Sequence, residues 1–595
     1  MVLALSKLGV LDRHPQRRRR MGHGRGDDEV LLRVLRYRVG SIVHLVLRMA
    51  GNGYLDDLRT RVVFGEIDDV LAGEVEWMFQ VDYFLTRNAT CYPDQLAIAT
   101  AKGALTWKEL DERATWLAQA LAAKGVCKGM RVAVLWHNSI EWALIWYACQ
   151  RLGAVPMPLN TRLLPEEIVH HVELAMCEAM FCAARFGTAA QGVAASCDLR
   201  LLVMEASPVA DSLEAVSWDD LLACGSSERP IVDVSEDDES VVLFTSGTTG
   251  EPKGVVRTQR MVRDHALVLA MGDGASHDEV MVTASPLYHT AGLLCVLKMA
   301  ALAGALVLAE RLDPPVVLGL IERFRATQVM LVPPVVYGRL AAHDGWRSYD
   351  LSSVRQVLIS AGRCDLSYAR IAFMLFPQAS LRFSWGSTEA CSLTGRAVSR
   401  EEIERDPELV CTVGTVNPLV EIRLVDEQGA DVPEGSVGEA IVRSPMVFEG
   451  YLGSGEADEP FVDGWLKTGD MLKRDARGFY YLVDRKKDVI KTGGENVYAL
   501  EVERVLLTSP SIEDCAVVGV RDERYEEGIA AAIRLAPGAT LTADDLVKLC
   551  DGRLPGFKKP RYWAVVDELP VNSVGKVQKG KLRAQGRSLF SPLHS

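Results

Sequence analysis

The sequence predicts an α/β protein with a large N-terminal domain of layered β-sheets flanked by helices and a small α+β domain at the C-terminal end. Its 595 residues, of which 48% are hydrophobic, exceed the roughly 250–300 residues that one hydrophobic core organises. From about residue 80, short apolar runs alternate with stretches of helical spacing, which favours parallel sheets covered by helices. After Asp484, a separate and smaller α/β unit begins.

The first 79 residues differ from the rest in charge. Residues 1–50 contain eleven Lys and Arg and four acidic residues, although the whole chain has 66 basic and 79 acidic residues. We expect the arginine run at 17–20 to be disordered and 29–51 to form a basic amphipathic helix. One interpretation is docking to an anionic membrane surface. The alternative is a leader without a catalytic role, or translation from a start upstream of the true one. We therefore treat 1–79 as an atypical basic extension that is partly disordered.

The large domain, 80–484, is predicted from a series of strands. The runs with strand character are RVAVLW (131–136), EAMFCAA (178–184), VVLFT (241–245), EVMVTASP (279–286), ALVLAE (305–310), VMLVPP (329–334) and VRQVLISAG (354–362). Between the first two, 139–154 has helical spacing and VPMPLN (155–160) is predicted as a turn. In such folds ligands bind at the carboxyl ends of the strands. The small domain, 485–595, has predicted strands near 515–520 and 528–534.

Composition excludes several function classes. The net charge of −13 argues against a nucleic-acid partner. Thirteen cysteines without a CxxC pair indicate reduced thiols and a cytoplasmic location rather than disulfides or a zinc site. Because no apolar run reaches about 18 residues without charges, a membrane-spanning helix is not expected. Membrane association could then come only through the basic extension.

The segment VVLFTSGTTGEPKG (241–254) is the first sign of chemistry. Its first half predicts a buried strand, whereas its second half offers hydroxyls, Lys253 and unhindered backbone N–H groups. A glycine-rich turn of this kind can direct successive N–H dipoles at a phosphate. It is not a Walker A loop, because Gly254 is followed by Val255.

Further blocks follow in order along the chain. They are LTWKEL (105–110), PLYHTAG (286–292), WGSTEA (385–390), GWLKTGD (464–470), VDRKKDVIKTGGENVYALEVE (483–503) and PVNSVGKVQK (570–579). Together with the glycine-rich loop, they resemble the adenylate-forming (AMP-binding) enzyme superfamily, in its acyl-CoA synthetase or fatty-acid–CoA ligase branch. The resemblance covers about residues 80–585 and implies a small domain that is mobile, rotating about a hinge at Lys487.

The resemblance implies a site for MgATP. The β- and γ-phosphates would be cradled by Thr245, Ser246, Gly247, Thr248, Thr249 and Gly250, with Lys253 as a nearby cation. Thr388 would donate to the α-phosphate and Glu389 would hold Mg²⁺. Asp470 would accept from both ribose hydroxyls, assisted by Arg485. Trp385 stands where the family usually has tyrosine, so it keeps a face for adenine but lacks the phenolic hydroxyl.

The resemblance also implies how two half-reactions share one site. Lys576 would bridge the carboxylate and the α-phosphate during adenylation. Rotation about Lys487 would then replace Lys576 by the segment around Gly493 and Gly494, which would line a narrow channel for the thiol of CoA.

An acyl pocket is expected beside the nucleotide. Its predicted residues are His289, Gly292, Leu293, Ser360, Ala361 and Gly362. We interpret His289 as a wall residue rather than a general base, because AMP is a good leaving group. Apolar neighbours such as Tyr288 and Val335 favour a hydrophobic fatty, aryl or alicyclic acid. Leu293 replaces a bulky aromatic gate of some long-chain relatives, which disfavours a long-chain specialist.

The function that these residues imply is an ATP-dependent acid:CoA ligase. A carboxylate and MgATP would give acyl-AMP and pyrophosphate, and CoA would then give acyl-CoA and AMP. No carrier domain follows in this sequence, so free CoA is the expected acceptor. Two alternatives stay open: transfer to the phosphopantetheine of a carrier protein, and a nucleotide-binding homologue without catalysis. The sequence does not indicate an oligomeric state.

Overall fold

The structure is a computed structural model that describes residues 80–206, 215–245, 252–272, 276–332, 336–360, 364–452, 460–571 and 577–593. The basic extension, 1–79, lies outside these ranges, and so does the membrane contact predicted for it. Across the described ranges, no helix has both the length and the apolar character needed to cross a bilayer.

The strands are described in chain order. Those of the first three hundred described residues are β1 (Leu96–Ala99), β2 (Ala104–Thr106), β3 (Arg131–Leu135), β4 (Val155–Pro158), β5 (Ala179–Cys182), β6 (Leu201–Met204), β7 (Val216–Ser217), β8 (Glu239–Thr245), β9 (Lys253–Thr258), β10 (Val280–Thr283), β11 (Ala305–Leu308), β12 (Gln328–Met330), β13 (Gln356–Ile359), β14 (Ser380–Ser387) and β15 (Cys391–Val398). The remaining strands are β16 (Thr412–Val416), β17 (Glu421–Val425), β18 (Val437–Arg443), β19 (Phe461–Val462), β20 (Trp465–Arg474), β21 (Tyr480–Arg485), β22 (Ile490–Thr492), β23 (Glu495–Val497), β24 (Ile512–Asp522), β25 (Glu526–Leu535), β26 (Tyr562–Val565) and β27 (Ser591–Pro592).

The helices begin where short polar side chains can cap them. Thr106 and Glu109 form a reciprocal capping box before the second helix, and Asp365 accepts from two backbone N–H groups before the eleventh, which satisfies donors that the helix itself leaves free. The α-helices are α1 (Val81–Cys91), α2 (Trp107–Ala123), α3 (Ile140–Leu152), α4 (Pro165–Leu174), α5 (Gly187–Ser196), α6 (Trp218–Leu222), α7 (Gln259–Met271), α8 (Thr290–Leu302), α9 (Pro314–Phe324), α10 (Val336–Ala341), α11 (Leu366–Leu375), α12 (Arg400–Arg405), α13 (Ala499–Leu506), α14 (Ala543–Cys550) and α15 (Lys579–Gln585).

A 14-stranded sheet organises the large domain, in the order β17-β18-β20-β21-β16-β15-β14-β13-β12-β10-β11-β1-β2, with β19 paired to β20. The neighbours from β11 to β14 are parallel. Successive residues point to opposite faces: Met281 lies in the core under α8, and Val282 lies in the core under α9 and α11. The loops after β10, β13 and β14 therefore meet at one edge, where the predicted site residues lie.

A second sheet of 5 strands is wholly parallel, in the order β4-β3-β5-β6-β7. The prediction of a turn at 155–160 was wrong for Val155–Pro158, which form β4. Pro156 and Pro158 are tolerated because β4 is an edge strand, so only one side of it needs backbone donors.

The strand predicted at 241–245 joins neither the 14-stranded sheet nor the 5-stranded parallel sheet. β8 pairs antiparallel with β9 alone, and Thr245 is opposite Lys253 in the register. The glycine-rich loop between them is thus the connection of a two-stranded ribbon.

The strands change sheets after Arg485, the last residue of β21. The small domain has a 6-stranded sheet in the order β23-β22-β25-β26-β27, with β24 paired to β25. Helices α13 and α14 pack on one face of it through Val502, Leu506 and Leu546. The α/β architecture, with a large sheet-rich domain and a smaller C-terminal one, confirms the predicted fold class.

Candidate functional site

The ends of the predicted phosphate loop are held close together. Thr245 and Lys253 are paired across the ribbon, and the backbone N–H of Leu452 donates to the carbonyl of Gly254 at 2.7 Å. A Cβ on Gly254 would lie 3.0 Å from the side chain of Leu452, so this close approach favours glycine. Ser246, Gly247, Thr248, Thr249 and Gly250 lie outside the described residues, and their phosphate contacts stay a prediction.

Thr388 and Glu389 lie in the tight turn between β14 and β15. A Cβ on Gly386 would lie 1.8 Å from the carbonyl oxygen of Cys391, so the turn closes only with glycine at that position. The hydroxyl of Thr290, at the start of α8, donates to the hydroxyl of Thr388 at 3.1 Å. The loop after β10 therefore orients the predicted α-phosphate donor.

Tyr451 joins two of the predicted residues and was missed in the sequence. Its hydroxyl donates to Oε1 of Glu389 at 3.0 Å, and the ammonium of Lys253 lies 4.6 Å from the centre of its ring. Burial, together with the Glu389 carboxylate, raises the pKa of the Tyr451 hydroxyl, which therefore stays a donor at neutral pH. The segment FEGYLG around it gave no chemical signal, because its partner is 62 residues away.

This arrangement fits Mg²⁺ at Glu389. No group of three or more His, Cys, Asp or Glu side chains in the described ranges could enclose a metal ion. Mg²⁺ does not need such a group, because it usually keeps several waters and binds one or two carboxylates together with phosphate oxygens. Tyr451 fixes one oxygen of Glu389, and a hard carboxylate oxygen in a turn beside Thr388 suits this mode of binding.

Trp385, Asp470 and Arg485 form a second group, at the predicted ribose position. The indole Nε1 of Trp385 donates to Oδ2 of Asp470 at 2.8 Å. Nε of Arg485 lies 2.9 Å from Oδ1 of the same carboxylate, because Asp470 and Arg485 are paired between β20 and β21. Trp385 and Asp470 are 6% and 5% exposed, so the group is almost wholly buried.

The loop PLYHTAG is held in place by Asn138, a second residue that the sequence patterns did not indicate. Its amide donates to the carbonyl of Ser285 at 2.9 Å and accepts from the N–H of Leu287 at 3.0 Å. Burial lowers the pKa of His289, which is therefore neutral at pH 7. The place of this half-buried imidazole in the wall of an acyl pocket stays a prediction.

The other predicted pocket residues have different surroundings. Gly292 packs on the loop, because a Cβ there would lie 2.1 Å from the carbonyl oxygen of Pro286. Leu293 belongs to the core cluster between α8 and the sheet. Ser360 follows β13 at the same edge as the turn of Thr388. Ala361 and Gly362 lie outside the described residues, and the acyl pocket stays a prediction.

In the small domain, Gly493 and Gly494 connect β22 to β23 with φ values of 61° and 84°. This turn requires two consecutive residues in the left-handed conformation, which explains the glycine pair. The place of the pair in a thiol channel stays a prediction. Lys487 lies in the short 3-10 helix Lys486–Asp488 between the two sheets, and burial lowers its pKa. Lys576 lies outside the described residues; Val571 and Val577, which flank its segment in the chain, form an isolated antiparallel bridge.

Comparison with known proteins decides the family. The profile of the AMP-binding enzymes matches residues 85–452, and the profile of the AMP-binding enzyme C-terminal domain matches residues 501–576. The chain belongs to the AMP-binding enzyme family. The resemblance inferred from the ordered motifs is thereby confirmed.

Relatives of this AMP-binding enzyme are acid–CoA ligases. A feruloyl-CoA synthase from an Amycolatopsis species is 34% identical over 84% of this chain and 97% of its own length. An indoleacetate–CoA ligase from Aromatoleum aromaticum is 33% identical over 85% of this chain and 98% of its own length. The AMP-binding enzyme described here is accordingly an AMP-forming acid–thiol ligase, as predicted.

Solved structures of o-succinylbenzoate–CoA synthetase from Bacillus subtilis are similar in fold and 27% identical. One contains the acyl-adenylate OSB-AMP, with a TM-score of 0.72 over 84% of this chain and 97% of that chain. Another contains ATP and a magnesium ion, with a TM-score of 0.73 over 85% of this chain and 99% of that chain. ATP, Mg²⁺ and CoA as the reaction partners of the AMP-binding enzyme agree with the sequence prediction.

Proposed function

We propose that this enzyme joins a hydrophobic aryl or alicyclic carboxylic acid to free CoA through an acyl-adenylate, using the site residues named above. The observation that carries the proposal is the meeting of two groups around the turn after β14. Trp385 and Asp470 would face the ribose of a bound nucleotide, whereas Thr388 and Glu389 would face its phosphates. A nucleotide bound between them would present its α-phosphorus at the edge where the loops after β10 and β13 end.

In the first half-reaction, a carboxylate oxygen of the acid attacks the α-phosphorus of ATP. The new bond joins the acid to AMP, and the bond between the α- and β-phosphates breaks, so pyrophosphate leaves. Thr388, oriented by Thr290, donates to an α-phosphate oxygen. Lys576 offsets the charge of the two anions as they meet. Lys253, held over the ring of Tyr451, offsets charge on the departing phosphates.

Glu389 is the residue that would hold Mg²⁺. When bound, this ion neutralises charge on phosphate oxygens and so stabilises the transition state of adenylyl transfer. Tyr451 would keep the Glu389 carboxylate in one rotamer while pyrophosphate forms and departs.

In the second half-reaction, the thiol sulfur of CoA attacks the carbonyl carbon of the acyl-adenylate. The bond from that carbon to the AMP oxygen breaks, AMP leaves, and the thiol proton passes to the departing phosphate or to water. Rotation about Lys487 would withdraw Lys576 and bring Gly493 and Gly494 to the thiol's path. His289 would form a neutral wall beside the carbonyl and would not be needed as a base.

The substrate class follows from the pocket side of the site. Ala291, Gly292 and Leu293, which follow Thr290, have no polar side-chain group, and this composition is suited to a compact hydrophobic acid. Two relatives are named for ferulate and indoleacetate, and both of these acids contain aromatic rings. We therefore expect an aryl or alicyclic acid to be preferred over a long fatty acid.

The test is a panel of acids with the purified full chain, MgATP and CoA. Ferulate, indole-3-acetate, cyclohexane carboxylate, octanoate and palmitate are compared by release of pyrophosphate and AMP. We expect a ring acid to give the highest kcat/KM, and acyl-CoA to appear only when CoA is added. A holo carrier protein in place of CoA separates the two acceptors.

Two results would overturn parts of the proposal. Failure of every acid to release pyrophosphate would favour the nucleotide-binding homologue without catalysis. Preference for palmitate would exclude the ring-acid class while leaving the ligase assignment intact. A Lys576→Ala variant is expected to lose adenylation, and wild-type rates in that variant would contradict the role of Lys576.

A further inference from the structure

Trp385 departs from the residue that is usual in the family, and its surroundings show what the departure does. It lies in β14, where its backbone N–H donates to the hydroxyl of Thr394 at 3.2 Å. Its ring packs in a core cluster with Val255, Leu393 and Tyr480. Because the ring is buried on these sides, the edge that carries Nε1 has a fixed direction.

That edge reaches Asp470, which is 85 residues away along the chain. β14 and β20 are not neighbours in the sheet, so no backbone pairing sets the distance between the two residues. Oδ2 of the carboxylate accepts from the indole N–H at 2.8 Å, and Nε of Arg485 is an ion-pair partner 2.9 Å from Oδ1, which accepts no hydrogen bond within the described residues. The hydrogen bond from the buried indole, together with this ion pair, leaves the carboxylate little freedom to rotate.

A carboxylate has about four lone-pair sites, of which the indole N–H uses one, on Oδ2. Oδ1 accepts no hydrogen bond within the described residues, and Oδ2 keeps a second lone pair, so each oxygen can accept from one more hydroxyl. Two acceptors in a fixed plane match a vicinal diol, because both hydroxyls can donate at once only when the carboxylate has one orientation. A 2′-deoxyribose offers a single hydroxyl at this position, and a freely rotating carboxylate could accept from it equally well.

We infer that Trp385 is a positioning residue that fixes Asp470 for the two ribose hydroxyls and thereby sets the preference for ribonucleotides over 2′-deoxyribonucleotides. The inference rests on the proposed function, since it takes Asp470 as the ribose acceptor. Phenylalanine at this position would keep an aromatic face for adenine and lose only the N–H.

The experiment compares ATP with 2′-deoxy-ATP in the wild type and in Trp385→Phe. Kinetics are read as acid-dependent pyrophosphate release, and binding of AMP and 2′-deoxy-AMP is measured by titration calorimetry. Loss of a hydrogen bond to a charged group weakens binding by roughly 10-fold or more. We expect KM for ATP to rise about 10-fold at nearly unchanged kcat, and the preference for ATP to fall by a similar factor.

Trp142→Phe is the matched control. Trp142 is also buried, at 2% exposure, and within the described residues its Nε1 has no hydrogen-bond partner. This variant is expected to leave both the KM for ATP and the preference unchanged. If Trp385→Phe does not fold by circular dichroism, Trp385→Tyr takes its place, because the phenolic hydroxyl is not where the indole N–H is.

A double variant tests whether Trp385 acts through Asp470. Asp470→Asn alone should lower the affinity for AMP and the preference for ATP over 2′-deoxy-ATP. Adding Trp385→Phe should then reduce both only slightly further. Independent, multiplicative losses would overturn the inference, as would an unchanged preference in Trp385→Phe. Inactivity of the wild type with every acid would contradict the proposed function instead, and the calorimetry would still decide the role of Trp385.

Discussion

The hydroxyl of Tyr451 donates to the carboxylate of Glu389 at 3.0 Å. The same ring carries the ammonium of Lys253 on its face, 4.6 Å from the ring centre. One tyrosine thus links the residue proposed to hold Mg²⁺ with the cation proposed for the outer phosphates. A cation over an aromatic face and a hydrogen bond to a carboxylate are both strengthened where water is excluded.

Removal of the Tyr451 hydroxyl should weaken the response of the enzyme to Mg²⁺. Tyr451→Phe keeps the ring under Lys253 but frees the Glu389 side chain. We expect about 10-fold more Mg²⁺ at half-maximal pyrophosphate release, since the lost hydrogen bond is to a charged group, and an unchanged KM for the acid. A Mg²⁺ titration at fixed ATP measures this.

Tyr481→Phe is the control for that titration, because its hydroxyl contacts Asp475 and Arg477 rather than the site. It should respond to Mg²⁺ like the wild type. An identical Mg²⁺ response in both variants would show that Tyr451 does not orient Glu389.

The edge of the 14-stranded sheet at which the site lies could be predicted from sequence, whereas the contact of Tyr451 with Glu389 could not. The apolar runs at 279–286 and 354–362 indicated parallel strands, and the carboxyl ends of such strands hold ligands whatever the side chains are. Tyr451 acts through Glu389, and Asn138 acts through a loop 149 residues away. Neither contact has a local pattern, because it exists only after distant segments have packed.

Gly292 should be intolerant of even one added methyl group. A Cβ there would lie 2.1 Å from the carbonyl oxygen of Pro286, and the clash is with backbone that cannot rotate away. We expect Gly292→Ala to lower the free energy of unfolding by about 1–3 kcal/mol and to reduce activity, since His289 is on the same loop. Urea unfolding and pyrophosphate release measure the two effects.

Gly338→Ala provides the comparison. Gly338 is inside α10, and nothing lies within 4 Å of the Cβ that alanine would add. Alanine favours helix over glycine by about 1 kcal/mol, so this variant should be as stable as the wild type or more so. Equal destabilisation in both variants would mean that the contact with Pro286 is not the cause.

Stability should fall as the pH is lowered from 7.5 to 5.5. Burial, with a further contribution from Arg257, lowers the pKa of His265 well below its usual value, and burial also lowers the pKa of His289. In the unfolded chain these rings have a pKa near 6.5. Below that pH the unfolded state binds protons that the folded state does not, which favours unfolding by up to about 1.4 kcal/mol per pH unit for each histidine.

His265 can be separated from other titrating groups by His265→Asn. The ring of His265 lies 3.1 Å from Nη2 of Arg257 and 3.0 Å from the hydroxyl of Ser392, so the variant has a lower stability at every pH. Its stability should nevertheless depend less steeply on pH between 7.5 and 5.5. Urea midpoints at several pH values give the slopes, and parallel slopes would exclude His265 as a contributor.

The hinge contacts also show what sequence patterns leave out. The motif that contains Lys576 predicts a cation for adenylation, but it does not show how the following helix is attached. Nζ of Lys579, at the start of α15, lies 2.8 Å from Oε1 of Glu503 in α13. Burial by itself would lower the pKa of Lys579, but the carboxylates of Glu503 and Asp484 raise it. Arg583, one turn further along, pairs with Asp488 beside Lys487.

These pairs predict that Lys579→Met slows adenylation more than thioester formation. The variant removes the ammonium that faces the buried carboxylate of Glu503, which costs about 3–5 kcal/mol, and it loosens the helix that directly follows the segment of Lys576. Single-turnover pyrophosphate release measures the first step, and supplied acyl-adenylate with CoA measures the second. Lys581→Met is the matched control, because Lys581 is exposed on the same helix. Glu503→Gln combined with Lys579→Met should recover stability by removing the buried negative charge, and a double variant that is less stable than Lys579→Met would contradict this account.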